Sequence, residues 1–144
     1  MKPDNTILAL DIGHKRIGIA RANEIARLPE ALTTIDNDEL AGSKIAELAN
    51  KHGAVILVVG LPRGLNGQET DQTKYTKDFV LELAKNIQIP VIMQDEALSS
   101  VEAEEQLASS GKPHDKAKVD AVAAATILDR FLDANRGSLN KFYE

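Results

Sequence analysis

Three acidic residues stand where the surrounding sequence favours buried apolar side chains. Asp11 ends the apolar run 7–10, and Glu96 ends the largely apolar run 89–94. Asp120 lies on a stripe of apolar residues with helical spacing, the side that a helix turns toward a core. Carboxylates are costly to bury, and they repel one another when they are close. Three such acids at the ends of predicted elements therefore predict a shared divalent cation.

Basic residues lie near these acids in the sequence. Lys15 and Arg16 follow Asp11 after a turn, and Arg63 lies in the glycine-rich loop 60–68. A third basic group comes just before Asp120; its lysines are Lys112, Lys116 and Lys118. We expect these six cations to contact the phosphates of a nucleic acid. The open alternatives are a solvated charged surface and a flexible loop.

The composition limits the class of protein. The chain has 144 residues, of which 43% are hydrophobic and 27% charged, which fits one soluble globular domain. It contains no cysteine, so disulfides and thiolate metal sites are excluded. Its apolar runs are far shorter than a membrane span, and the N-terminus leads directly into a strand-like run. We therefore expect a cytoplasmic protein without membrane contact. The net charge of −5 gives no support for a generic polyanion binder.

The elements that must position the acids follow from the hydrophobic pattern. Strands are predicted at 6–12, 17–20, 30–35, 55–59 and 89–94, and helices at about 38–52, after loop 60–68, at 99–109 and at 118–132. This order predicts an α/β domain over residues 1–132 and an appended tail over 133–144. The sheet is predicted to be mixed and five-stranded, with an antiparallel hairpin at its edge, a parallel centre and flanking helices. Ligand sites in such sheets lie at the carboxyl ends of parallel strands, where Asp11, loop 60–68 and Glu96 all fall.

Four sequence blocks in this order closely resemble the YqgF (RuvX) family. They are LDIGHKRIGIA at 10–20, VGLP at 59–62 with a glycine at 67, DE at 95–96 followed by LSS at 98–100, and KVDAVAA at 118–124. The resemblance covers about residues 6–132. It implies the RNase H-like fold of Holliday junction resolvases and a nuclease that matures precursor 16S ribosomal RNA.

The resemblance also implies roles for individual residues. Asp11, Glu96 and Asp120 match the carboxylates of a catalytic metal site for Mg²⁺ or Mn²⁺, which would hydrolyse phosphodiesters with two ions. The family commonly has arginine directly after the Asp-Glu pair, where this chain has Ala97, so a phosphate-contacting cation is missing there. His14 replaces a small residue that is usual in the first turn.

Other functions stay open on the sequence. A non-catalytic nucleic-acid-binding or ribosome-associated factor would fit Ala97 and the acidic net charge, and a resolvase acting on branched DNA would fit the fold. An ATP-binding domain of the actin and sugar-kinase type would need a second lobe, for which the chain has no room. The resemblance favours precursor ribosomal RNA over DNA and suggests a ribosomal particle as partner. The sequence is compatible with a monomer or a homodimer.

Overall fold

The computed structural model describes residues 5–64, 66–96 and 116–143, with only the backbone of 116–118. The strands are β1 Thr6–Ile12, β2 Arg16–Asn23, β3 Glu30–Asp36, β4 Ala54–Pro62 and β5 Val91–Glu96. The helices are α1 Ala41–His52, α2 Asp71–Ala84, α3 Lys116–Ala134 and the short α4 Asn140–Tyr143. None of the described helices is both long and apolar enough to cross a membrane. The predicted helix at 99–109, Ala97 and Lys112 lie outside the described residues.

The five strands form one mixed sheet in the order β3-β2-β1-β4-β5. β1 pairs antiparallel with β2 and parallel with β4, β2 pairs antiparallel with β3, and β4 pairs parallel with β5. β1 and β4 are buried along most of their length because they lie between other strands and are covered on both faces. The predicted mixed sheet with an antiparallel edge and a parallel centre is confirmed.

Alternate residues of the central strands face two different helical layers. One core contains Leu8, Leu10 and Ile12 of β1 together with apolar residues of α1 and α2. The other contains Ile7 and Ala9 of β1 together with the apolar stripe of α3. The molecule is thus a three-layer α/β/α structure with α1 and α2 on one face of the sheet and α3 on the other. By the same alternation, Asp11 belongs to the face that α3 covers.

Several strands and helices differ from their predicted bounds by one to three residues, and two departures have a visible cause. α1 begins at Ala41 rather than near Asp38, since the Asp38 carboxylate accepts a hydrogen bond from the Leu40 amide (2.9 Å) and forms a turn before the helix. Part of the segment predicted as an appended tail packs on the core. Leu139 is fully buried, and the rings of Phe131 and Phe142 lie 5.5 Å apart. This segment is too short for its apolar residues to show a clear helical period, so the sequence did not predict its packing.

Helix α3 lies directly on the backbone of the sheet at two glycines. A Cβ atom at Gly18 of β2 would come within 1.9 Å of the Asp120 carbonyl oxygen. A Cβ atom at Gly60 of β4 would come within 2.3 Å of the Ile127 side chain. The contact at Gly18 is to backbone, which cannot rotate away as a side chain can. Gly18 therefore sets how closely the start of α3 approaches β2.

The far end of α3 is held by Arg27, in the turn between β2 and β3. Its guanidinium donates hydrogen bonds to the carbonyl oxygens of Asn135 (2.9 Å) and Gly137 (2.6 Å), just beyond the helix, and more weakly to that of Leu132 (3.4 Å). A cation at a helix C-terminus stabilises carbonyls that have no partner within the helix. Arg27 itself adopts a positive φ of 54°, which is uncommon for a residue other than glycine.

We predict that Gly18→Ala destabilises the protein by about 1–3 kcal/mol, the usual cost of overpacking a tight contact. The matched control is Gly42→Ala in α1, where an added Cβ meets nothing within 4 Å. The control should raise stability by roughly 0.5 kcal/mol because alanine favours the helix. Urea unfolding followed by circular dichroism measures both changes. Equal stabilities for the two variants would contradict the close contact.

Candidate active site

The backbones of two of the predicted acids lie next to Gly18. Asp11 near the end of β1 is the direct cross-strand partner of Gly18 on β2. The backbone of Asp120 lies immediately over the same glycine, on the face of the sheet that α3 covers. Asp11 and Asp120 are both partly exposed, so solvent and ligands have access to them. Asp11 and Asp120 are 109 positions apart in the sequence (120 minus 11). Their backbones can approach each other because residue 18 has no side chain.

Arg16 joins this pair from the same strand as Gly18. Its Nε donates a hydrogen bond to Oδ2 of Asp120 at 2.9 Å. The side chains of Arg16 and Asp120 are 32% and 22% exposed, so this ion pair is only partly screened by water. Arg16 therefore holds the Asp120 carboxylate in one orientation and offsets the repulsion between neighbouring acids.

Glu96 lies at the carboxyl end of β5 and is almost completely buried. Its side chain is 1% exposed, and its carboxylate accepts a hydrogen bond from the guanidinium of Arg130 on α3. A buried carboxylate needs such a charged partner, since its desolvation is otherwise expensive. The sequence singled out Glu96 but missed Arg130. The available signal was an arginine beside the core-facing stripe of α3, one position before the buried Phe131.

Glu96 is separated from the other two acids by strand β4. Pro62 of β4 pairs with Glu96, and Val59 pairs with Leu10, the residue before Asp11. Two strand spacings, roughly 10 Å, therefore lie between the backbones of Asp11 and Glu96. In the described part of the chain, no group of three or more His, Asp or Glu side chains is close enough to hold one metal ion. The structure therefore has two acids, Asp11 and Asp120, whose backbones lie beside Gly18, and a separate buried acid, Glu96.

The cations that were predicted to bind phosphate differ in their exposure and in their contacts. Lys15 is exposed at the tip of the β1–β2 turn, whereas Arg16 is bound to Asp120. Arg63 donates through its Nε to Asp95, beside Glu96 on β5, at 3.1 Å. Lys116 and Lys118 lie in the first turn of α3, shortly before Asp120, and only their backbones are described. Lys15 is thus the predicted cation whose described side chain is most open to a ligand.

The glycine-rich loop after β4 is closed by hydrogen bonds from its own backbone amides. The Gly64 amide donates to the Gln68 carbonyl at 2.8 Å, and the Gly67 amide donates to the Gly64 carbonyl at 2.9 Å. Both hydrogen bonds are internal to the loop. Beyond it, the Lys77 ammonium binds Glu69 and lowers the pKa of that carboxyl.

Polar residues of α2 fix the carboxyl ends of the central strands. Gln72 donates to the carbonyl of Ile12 at the end of β1 (3.0 Å), and the hydroxyl of the fully buried Thr73 donates to the carbonyl of Pro62 at the end of β4. Thr73 also forms a reciprocal capping box with Thr70 at the start of the helix. These anchors hold the site from the face opposite α3, and the sequence interpretation missed them.

Comparison with known proteins decides the family. Residues 5–134 match the model of the RuvX family, which is described as Holliday junction resolvase. The chain belongs to the RuvX family. A RuvX relative from Chloroflexus aurantiacus is 41% identical over 98% of this chain and 95% of its own length, and one from Synechococcus elongatus is 36% identical over 93% of each. Both bear the name "Putative pre-16S rRNA nuclease".

Solved structures confirm the RNase H-like fold. The Thermus thermophilus RuvC structure with a Holliday junction substrate matches with a TM-score of 0.54 at 14% identity, over 92% of this chain and 96% of that one. The fowlpox virus resolvase bound to Holliday junction DNA matches with a TM-score of 0.52 at 13% identity, over 92% and 99%. At these identities, the likeness concerns the fold alone.

We predict that Arg130→Met lowers the free energy of unfolding by about 1–3 kcal/mol, because it removes a charged partner from the buried Glu96. Adding Glu96→Gln to this variant should recover part of the loss. The control is Arg136→Met, whose ion pair with Asp133 is 82% and 67% exposed and should contribute little. Chemical denaturation of the four proteins makes the comparison. Equal losses in the two single variants would contradict a special role for the Arg130 contact.

Proposed function

We propose that the chain is a nuclease that hydrolyses phosphodiester bonds of nucleic acid, with precursor 16S ribosomal RNA as its substrate. The observation that carries the proposal is that the backbones of Asp11 and Asp120 both lie beside Gly18, at the carboxyl edge of the sheet. Ligands of open α/β sheets bind at this edge. The names of the RuvX relatives supply the substrate class.

Asp11 and Asp120 have the donor chemistry for Mg²⁺ or Mn²⁺. Magnesium prefers carboxylate oxygens and is commonly bound through one or two carboxylates together with substrate phosphates, so a pair of acids suffices for one ion. When bound, such ions activate water and neutralise the charge that develops on the phosphate. The family resemblance assigns Glu96 to the same set, whereas in the structure its carboxylate is buried at the end of β5 and oriented by Arg130.

The chain's cations would place the substrate. Lys15 lies four positions after Asp11, on the exposed tip of the turn, and would contact a phosphate next to the one that is cleaved. Arg16 would fix the orientation of the Asp120 carboxylate. Lys116 and Lys118 would extend the basic path along the start of α3, where the helix N-terminus also favours anions. Lys112 and Arg63 complete the proposed set.

The proposed substrate also implies a location, a partner and an oligomeric state. A nuclease for precursor ribosomal RNA works in the cytoplasm and on a ribosomal particle, as a monomer or a homodimer. Recognition through backbone shape and charge fits a chain with only 3% aromatic residues.

A second candidate is a non-catalytic nucleic-acid-binding factor of the same fold. It is favoured by the arginines bound to Glu96 and Asp120, since these cations compete with a metal ion for the same oxygens. A resolvase acting on four-way DNA, the activity in the description of the family model, is the alternative substrate choice. Cleavage assays separate all three.

We predict that Asp11→Asn and Asp120→Asn each lower cleavage of a precursor 16S 5′ fragment by at least about 100-fold, because each removes a carboxylate that the chemistry requires. The control is Asp129→Asn, an exposed acid on the same helix as Asp120, which should cleave at the wild-type rate. End-labelled RNA resolved on gels measures the rates. Adding excess EDTA should stop the wild-type reaction, and Mg²⁺ or Mn²⁺ should restore it.

The outcomes distinguish the candidates. Wild-type rates in both amide variants would refute the proposed site. RNA binding without cleavage at any metal concentration would favour the non-catalytic factor. Faster cleavage of a four-way DNA junction than of the RNA would replace the substrate assignment.

A further inference from the structure

An aromatic pair joins the tip of the β1–β2 turn to α2, on the face of the sheet opposite α3. The imidazole of His14, at the tip of the β1–β2 turn, lies over the ring of Tyr75 on α2, with centroids 4.2 Å apart and planes tilted by 42°. His14 is exposed and Tyr75 is partly exposed. His14 is three positions after Asp11, so the Cα atoms of the two residues are at most about 11 Å apart.

The pair is held rigidly by Asn37. The Asn37 side-chain amide donates to the Gly13 carbonyl at 2.7 Å and to the Tyr75 hydroxyl at 2.8 Å. Its backbone amide donates to the Lys15 carbonyl at 2.9 Å. One residue thus ties the turn that carries His14 to the ring beneath it. A rigid aromatic surface loses little conformational freedom when a ligand stacks on it.

The other aromatic residues are used elsewhere in the fold. Phe79 packs against the core below α2, and Phe131, Phe142 and Tyr143 pack in or against the core below α3. Tyr75 also packs against the core below α2, and its partly exposed ring contacts His14 in addition. A planar imidazole on a phenol ring offers a flat surface to another flat group.

The charges around the pair indicate how a polyanion would approach. Lys15 follows His14, Lys74 precedes Tyr75, and both lysines are exposed. Asp71 and Asp78 lie one turn away from Tyr75 on either side along α2, where they would repel phosphates. A strand would therefore run from the carboxylate pair across the β1–β2 turn rather than along α2.

We infer that His14 and Tyr75 form a stacking platform for one unpaired nucleobase, a nucleotide or two away from the cleaved phosphate. This inference rests on the proposed nuclease function and narrows its substrate to nucleic acid that is single-stranded beside the cleavage site. Bases that are paired in a duplex are already stacked and cannot present a face to the platform. Stacking on aromatic side chains is independent of base identity, since every base has a π-face.

The test uses a single-stranded RNA that carries 2-aminopurine at successive positions, in EDTA so that the RNA stays intact. The chain contains no tryptophan, so protein emission does not interfere with the probe. Wild type should quench 2-aminopurine at one position, and His14→Phe should preserve the quenching because it keeps a flat ring. His14→Ala should abolish it and weaken binding of the single strand roughly tenfold. His52→Ala, the same change at the end of α1, should behave as wild type.

A duplex of the same sequence and a cleavage assay complete the design. Binding of the duplex should change less than twofold in His14→Ala; an equal loss on both RNAs would overturn the platform, because it would indicate a role in shaping the turn. Quenching that persists in His14→Ala would also overturn it, while cleavage by wild type would leave the nuclease proposal intact. Absence of both binding and metal-dependent cleavage in wild type would refute the two proposals together. Unchanged circular dichroism of His14→Ala shows that the variant is folded.

Discussion

The direct contact between the backbone of α3 and strand β2 at Gly18 is the constraint on which the site depends. It removes the layer of side chains that normally separates a helix from a sheet, so Asp120 reaches the level of Asp11. Arg16, two residues before Gly18 on the same strand, can then bind Asp120. With a larger residue at position 18, the helix would be lifted and the carboxylates would separate.

Three arginines form ion pairs with acids at the carboxyl edge of the sheet. Asp120, Asp95 and Glu96 each bind an arginine from a different element, namely β2, the loop after β4 and α3. These ion pairs tie α3 and the loop to the sheet while several carboxylates remain close together. They also mean that a metal ion or phosphate entering the site meets charges that are already paired. Part of the binding energy of such a ligand would be spent on reorganising them.

The sequence predicted the parts of the molecule that local patterns specify. The continuous apolar runs of β1 and β4 and the helical stripe of α3 identified the sheet and its cover, and the acids at element ends identified the candidate site. The start of α1 was missed, because it depends on one side-chain bond from Asp38. Arg130 was missed because its contact with Glu96 spans 34 positions. Which distant residues come into contact depends on how α3 packs on the sheet. The pattern within one segment does not predict that packing.

The glycine contact also gives the start of α3 a support that does not consist of core side chains. Helices that rest on side chains shift when those side chains change size, and a site built across such an interface shifts with them. Here the first turns of α3 rest on main chain, whose dimensions are the same in every protein, and Arg27 fixes the far end of the helix. Exchanges among leucine, isoleucine and valine beneath the far half of α3 should therefore displace Asp120 less than a larger residue at position 18 would.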